Sequence, residues 1–243
     1  MSNNHSIQDL AWIPAGDPVV PFPDLDSALR DPDGLLAFGG DLSVKRLLLA
    51  YRHGIFPWYS HGQPIMWWSP DPRTVLFPER LKVSRSLRKT LNKKPFEITI
   101  NRAFNAVITA CAEPRGDGEG TWITTEMQMA YHQMHEQGHA HSVEAWLDGK
   151  LVGGLYGIAI GQVFFGESMF TRCSDASKVA FVYVVNWLKS LGYKLIDCQV
   201  ESKHLVSLGA CNIPRHEFAN LLNEYCEIPM DNAHWHETSL GLE

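Results

Sequence analysis

Glu167, Asp197 and Gln199 stand in segments whose other residues are largely apolar. A carboxylate on a buried strand is costly unless it is paired or used, so these three are the first candidates for chemistry. Other patterns are weaker. His135-Glu136-Gln137-Gly138-His139 has the HExxH spacing of zinc hydrolases. That motif needs both histidines one turn apart on a single helix. Gly138 interrupts it and strand-like sequence follows, so the helix is expected to stop there and no metal is expected. Ser168 and Cys198 fall on predicted strands, without the elbow that exposes a serine or cysteine nucleophile. Gly153-Gly154-Leu155-Tyr156-Gly157 lacks the ending of a phosphate loop, and reads as close backbone approach inside a strand.

The elements around the acids are legible. Leu151 to Ile160 and Gln162 to Phe170 are apolar runs split by Gly161, which predicts paired strands. Ser174-Asp175 can cap a helix whose buried face is Val179, Phe181, Val182, Val185 and Leu188, closed by Gly192. Leu195 to Val200 predicts another buried strand. Strand, strand, helix, strand is the skeleton of an acyl-transfer domain of the GNAT type. The expected fold class is α+β, with a small N-terminal α/β domain over 1–70 and a GNAT-like mixed-sheet domain over 71–243. Proline density marks the boundary near Pro70. Acyl-CoA enzymes of that type grip pyrophosphate with a glycine-rich turn. Thr171 to Lys178 has no glycine and sets Asp175 at the helix start, which argues against a CoA donor.

The rest of the chain reads as punctuated helices and strands. Met1 to Ala15 is polar and expected to be loosely ordered, and Pro14 to Pro23 is extended. A short helix is expected from Asp24, a turn at Gly39-Gly40-Asp41, and a helix over Val44 to His53 capped by Asp41 or Ser43. Further expectations are a strand at Val75, a strand over Phe96 to Ile100, and helices from Asn101 and over Thr125 to Gln137. Glu113 to Gly120 reads as a loop. Asp148-Gly149 reads as a hairpin turn and Arg215 to Tyr225 as the last helix. Aromatics crowd Phe56 to Trp68, either packing a seam between lobes or offering a stacking surface for a base.

Composition narrows the class. At 45% hydrophobic and 20% charged, the 243 residues suit a soluble globular protein. The N-terminus lacks the pattern of a signal peptide, and no apolar run is long enough to span a bilayer. Five cysteines without a CxxC pair predict reduced thiols and a cytoplasmic location. The net charge is −6, yet Arg80 to Lys94 carries +7 with no acid, leaving −13 on the remainder. A basic stripe on an acidic protein suits a phosphate backbone, although a solvated helix face has the same composition. Two other functions compete on these residues, an acyl-CoA N-acyltransferase and a noncatalytic tRNA-binding module.

The runs DPDGLLAFGGDLS, YRHGIFPWYS, PIMWWSPDPR, GTWIT, GHAHSVEAW, GGLYG, FFGESMFTR, SDASKVA, LIDCQV and SLGA occur in order between Pro21 and Pro214. Together they closely resemble the leucyl/phenylalanyl-tRNA–protein transferase family. The resemblance implies a bacterial cytoplasmic enzyme acting without metal or dissociable cofactor. It would move Leu or Phe, less readily Met, from Leu-tRNA or Phe-tRNA to the α-amine of proteins beginning with Arg or Lys. Those proteins would thereby be marked for N-end rule degradation. Family site residues fall on Tyr51, Trp58, Trp122, Tyr131, Glu167, Asp197 and Gln199. Ser202 stands where some members have Asn, and Leu155 where others have Met, a near volume-conserving change.

On that resemblance, Asp197 orients the site or stabilises charge on the attacking amine, and Gln199 aligns it. Glu167 binds an ammonium or the acceptor's cation, or pairs with Arg172. Leu155, Phe164, Met169, Phe181, Val184 and Ile196 are candidates for the donor side-chain pocket. Tyr51, Trp58, Trp122 and Tyr131 are assigned to the aminoacyl-adenosine. Arg80, Arg85, Arg88 and Lys89 are assigned to phosphates of the acceptor stem, which implies steep salt dependence. Glu144, Glu167 and Asp197 are the nearest acids for a cationic acceptor. A monomer is expected.

Overall fold

A two-residue turn sets up the sheet that carries the site. Asp148 and Gly149 both adopt positive φ, 50° and 73°, the conformation that joins tightly twisted antiparallel strands. The computed structural model describes residues 7–16, 20–114, 121–236 and 238–240. The loop expected over Glu113 to Gly120 therefore lies largely outside the described residues, as do 1–6 of the N-terminal stretch.

In chain order the elements are β1 (Ala11–Ile13), β2 (Leu35–Gly39), α1 (Val44–Arg52), β3 (Phe56–Pro57), β4 (Met66–Trp68) and β5 (Arg73–Leu76). Then come α2 (Arg85–Lys93), β6 (Glu97–Ile100), α3 (Phe104–Cys111), α4 (Thr125–Glu136), β7 (Ala140–Leu147), β8 (Lys150–Ile160) and β9 (Val163–Thr171). The chain ends with α5 (Ala176–Ser190), β10 (Leu195–Gln199), α6 (Lys203–Ser207), β11 (Cys211–Ile213), α7 (Arg215–Tyr225) and β12 (Thr238–Leu240). A four-stranded sheet has the order β1-β2-β4-β3, and an eight-stranded one the order β11-β5-β10-β9-β8-β7-β6-β12. Both sheets are mixed, so the α+β class holds.

Alternation along β8 and β9 sends neighbouring residues to opposite faces. Leu155 and Phe164 join the cluster under α5, with Val179, Val182 and Ile196. Tyr156 and Phe165 join a second cluster that runs on through α3, α4, α1 and the small sheet, so apolar packing is continuous between the two sheets. Gly157 permits the close approach of β8 and β9 where their register shifts: a Cβ there would lie 2.5 Å from the Phe164 ring and 2.3 Å from the Phe165 carbonyl.

β9 and β10 run parallel, joined over one face by α5, but they pair only from Val163↔Leu195 to Phe165↔Asp197. Beyond that point β10 bulges against β5, and Gln199 takes a left-handed φ of 62°. Gly166 to Met169 are partly exposed along β9, which opens a cleft at the parting of the two strands.

Several expectations are corrected. The helix from Asp24 is only a 3-10 turn, Leu25–Ser27. Part of the stretch expected to be loose forms β1, parallel to β2, and Leu35–Gly39 leads into the Gly39-Gly40 turn as a strand. β11 and β12 have only three residues each and show no readable period. Among the described residues no helix is long and apolar enough to cross a membrane.

The C-terminal segment closes one edge. β12 pairs with β6, and Trp235 inserts beside it, 5% exposed. Its indole Nε1 donates to Tyr193 Oη at 3.0 Å, and its ring stacks on His141 at 3.9 Å and faces Phe164 at 5.8 Å. Trp235→Ala is expected to cost about 3–5 kcal/mol, as for other buried large aromatics. Denaturant unfolding checks this, and a loss below about 1 kcal/mol would mean the segment is not anchored by this ring.

Candidate active site

The cleft at the β9–β10 parting encloses about 770 Å³. Its apolar wall includes Leu155, Phe164, Met169, Phe181 and Ile196, and Trp122 stands on its side. Ser177 and Lys178, from the first turn of α5, and Ser202, from the cap of α6, add polar groups. Glu167 projects into it from β9.

Behind this wall runs one hydrogen-bonded chain. Tyr51 and Tyr131 share a bond of 2.5 Å between their hydroxyls, and Tyr131 donates to Glu167 Oε2 at 2.8 Å. Gln199 Nε2 donates to the other Glu167 oxygen at 2.8 Å. The Gln199 backbone N–H donates to Asp197 Oδ1 at 2.9 Å. Arg73 then grips Asp197 with Nε to Oδ1 at 2.8 Å and Nη2 to Oδ2 at 2.7 Å. Both side chains of that pair are 0% exposed. Arg73 Nη1 donates to the Gly54 carbonyl at 3.1 Å, and the guanidinium lies against Phe56 and Phe218 at 4.8 and 4.7 Å.

Electrostatics follow from this burial. Glu167 is raised to about 7, first by desolvation and then by the Asp197 charge, against the pull of bonds from Tyr131, Tyr51 and Gln199. Burial and the Glu167 carboxylate push Tyr51 and Tyr131 well above the usual phenol range, so both remain hydroxyl donors. Burial also raises the Cys198 thiol, which leaves no ready thiolate beside Asp197.

The structure brings Glu167, Gln199 and Asp197 together. It sorts the remaining expected residues. Leu155, Phe164, Met169, Phe181 and Ile196 line the cleft, but Val184 does not. Val184 lies about a turn further along α5, away from the helix start that abuts the cleft, and is packed into the core. Trp122 is on the wall. Trp58 is not: it is 44% exposed and leans on Trp68, whose Nε1 donates to the Trp58 carbonyl. Tyr51 and Tyr131 are fully buried and reach the cleft only through Glu167. Arg172 pairs with Glu113, not with Glu167. Glu144 is also misplaced as an acceptor contact, being buried and bonded to Thr99, Ser142 and the Ala103 N–H.

Ser84 caps α2, whose Leu87 and Leu91 are buried while Arg80, Arg85, Arg88 and Lys89 face solvent. The helix is tied to the cleft by Thr90 Oγ1, which donates to Asp175 at 3.1 Å, next to Ser177 and Lys178. The HExxH histidines part as expected. α4 ends at Glu136, and His135 bonds the Ala140 carbonyl and stacks on Phe104. Among the described residues no three His, Cys, Asp or Glu side chains are grouped to hold a metal ion. Arg73 is the residue that sequence reasoning missed. Its signal was the unpaired Asp197, which demanded a buried cation that short-range pattern does not locate.

An apolar pocket beside a near-neutral acid and an oriented amide fits a transferase that works by placing its reactants. The sequence comparisons identify which kind. The leucyl/phenylalanyl-tRNA protein transferase model matches residues 75–223, and the model of that family's N-terminal domain matches 40–71. A leucyl/phenylalanyl-tRNA–protein transferase of Methylococcus capsulatus is 61% identical over 88% of this chain and 91% of its own. One from Pseudomonas aeruginosa is 59% identical over 90% of this chain and 96% of its own. The chain belongs to the leucyl/phenylalanyl-tRNA–protein transferase family. Among solved structures, L-PGS from Bacillus licheniformis matches at 10% identity and a TM-score of 0.38, over 84% of this chain and 65% of its own.

Glu167 supplies a pH prediction. Its folded pKa, about 7, exceeds the ordinary glutamate value of 4.5, so the folded state holds the proton more tightly. The stability this contributes is complete below about pH 4.5 and is lost as pH rises through about 7. Subtracting the stability profile of Glu167→Gln from that of wild type should isolate a decline across this window. A flat difference would place Glu167 at an ordinary carboxylate pKa.

Proposed function

We propose that this protein joins Leu or Phe, carried as the ester of its tRNA, to the α-amine of proteins beginning with Arg or Lys. The product would enter N-end rule degradation in the cytoplasm. The observation that carries the reading is Glu167 on the wall of an apolar cleft, held from behind by the Gln199 amide, in a chain of this family. We also read residues 71–243 as a GNAT-like domain following a small one over 1–70. The parallel β9–α5–β10 unit and its parting strands favour that reading.

The reaction is aminolysis of an activated ester. The acceptor nitrogen attacks the carbonyl carbon, a C–N bond forms, and the tetrahedral intermediate carries an oxyanion. The C–O bond to the ribose then breaks, and the ribose oxygen takes a proton. Glu167, with a pKa of about 7, is suited to receive the proton that the attacking nitrogen sheds. Gln199 is far too weakly basic for that task, and aligns the amine or the oxyanion instead. Asp197 has both oxygens committed to Arg73, so it acts as a positioning residue. The apolar wall from Leu155 to Ile196 takes the donor side chain, and Trp122 meets the terminal adenosine. Tyr51 and Tyr131 hold Glu167, while Trp58 is left as an outer stacking surface. The exposed cations of α2 hold acceptor-stem phosphates and read no amino-acid identity.

Labelled Phe presented as Phe-tRNA should transfer to a protein beginning with Arg and not to one beginning with Ala. Tight tRNA binding without transfer would favour the binding-module reading. Charge reversal of Arg85 and Arg88 should raise KM for Phe-tRNA and reduce the salt slope by about 2. An unchanged slope would remove α2 from the tRNA interface.

A further inference from the structure

Among the described residues three carboxylates stand on the cleft wall, Glu113, Glu167 and Asp197. The Asp197 charge is consumed inside the fold by Arg73. Both Glu167 oxygens already accept bonds, and burial raises its carboxyl to about 7. Glu113 alone is exposed at the mouth, with its side chain 54% accessible, and its partner Arg172 is 47% accessible. An ion pair this wet is weak, because water screens it and two long side chains must be held in register. It is exchangeable.

We propose that Glu113 binds the cationic side chain of the acceptor's first residue, and that Arg172 occupies this carboxylate until the acceptor arrives. The inference rests on the reading above that acceptors begin with Arg or Lys. Arg172 has somewhere to go. Its guanidinium already lies over the Phe170 ring, 5.3 Å from the centroid, and Phe170 is itself on the cleft wall. Its backbone N–H is held by the Val152 carbonyl at 2.7 Å, so only the side chain need swing. The position also answers a geometric need. The acceptor is a polypeptide, so its later residues must leave the cleft. Glu113 and Arg172 border a second groove of about 780 Å³, lined by Asn105 and Thr109 of α3 and by Lys150 of β8. An acceptor whose first side chain displaces Arg172 at this shared border has that groove before it.

The test is transfer from Phe-tRNA to three peptides differing only at the first residue: Arg, Lys or the neutral Arg isostere citrulline. Wild type should prefer Arg and Lys. Glu113→Gln should raise KM for the Arg peptide by about tenfold or more. It should leave KM for Phe-tRNA and for the citrulline peptide unchanged. Arg172→Met, which removes the competing cation, should lower KM for the Arg peptide. If wild type prefers Arg over citrulline and Glu113→Gln preserves that ratio, the proposal is overturned while the reading of the acceptor stands. If wild type itself does not separate Arg from citrulline, that reading falls and the proposal with it.

Discussion

The buried Arg73–Asp197 pair is the constraint on which the site depends. Both charges are wholly removed from water, and each is tolerable only because the other is there. Breaking such a pair on one side typically costs about 3–5 kcal/mol. The guanidinium does more than neutralise. It touches Phe56 from the small sheet, Phe218 from α7 and the Gly54 carbonyl after α1, so three parts of the chain converge on it. Asp197, thus fixed, holds the Gln199 N–H and with it the left-handed turn at the end of β10. A side chain with a Cβ pays for that conformation, and the bond to Asp197 offsets the strain.

From this anchor the polar groups divide their work. Gln199 faces Glu167, and Tyr131 and Tyr51 extend the chain into the core. The phenols stay protonated and direct their hydrogens toward the acid, whose pKa burial raises to about 7. The arrangement places one buried acid on the wall of an apolar cleft and one oriented amide behind it. The ester aminolysis proposed above needs little more, since an aminoacyl ester is already activated.

Much of this was legible. The two long strands, the α5 crossover and β10 followed from apolar runs split by Gly161 and closed by Gly192. Arg215–Tyr225 was expected as a helix and is one. Placing Glu167, Asp197 and Gln199 on strands pointed to the candidate site, because acids and amides in apolar runs need a reason. What escaped was long-range. Arg73 lies 124 residues from Asp197 in sequence, and nothing local to RTVL marks its side chain as buried. Val184 shares the apolar face of α5 with Phe181, and only the cleft's position at the helix start tells them apart. Tyr51 and Tyr131 were matched by resemblance to the adenosine, yet burial sets them behind Glu167. β11 and β12 are too short for any period to show.

We propose that the Arg73–Asp197 pair acts through Gln199 and not through substrate contact. A double-mutant cycle with Arg73→Met and Asp197→Leu tests it, read as the single-turnover rate of Phe transfer beside the Kd for Phe-tRNA. Each single change should slow transfer, the pair together should lose little more than either alone, and Kd should hold. Losses that multiply, or a near-normal rate in either folded single variant, would contradict it.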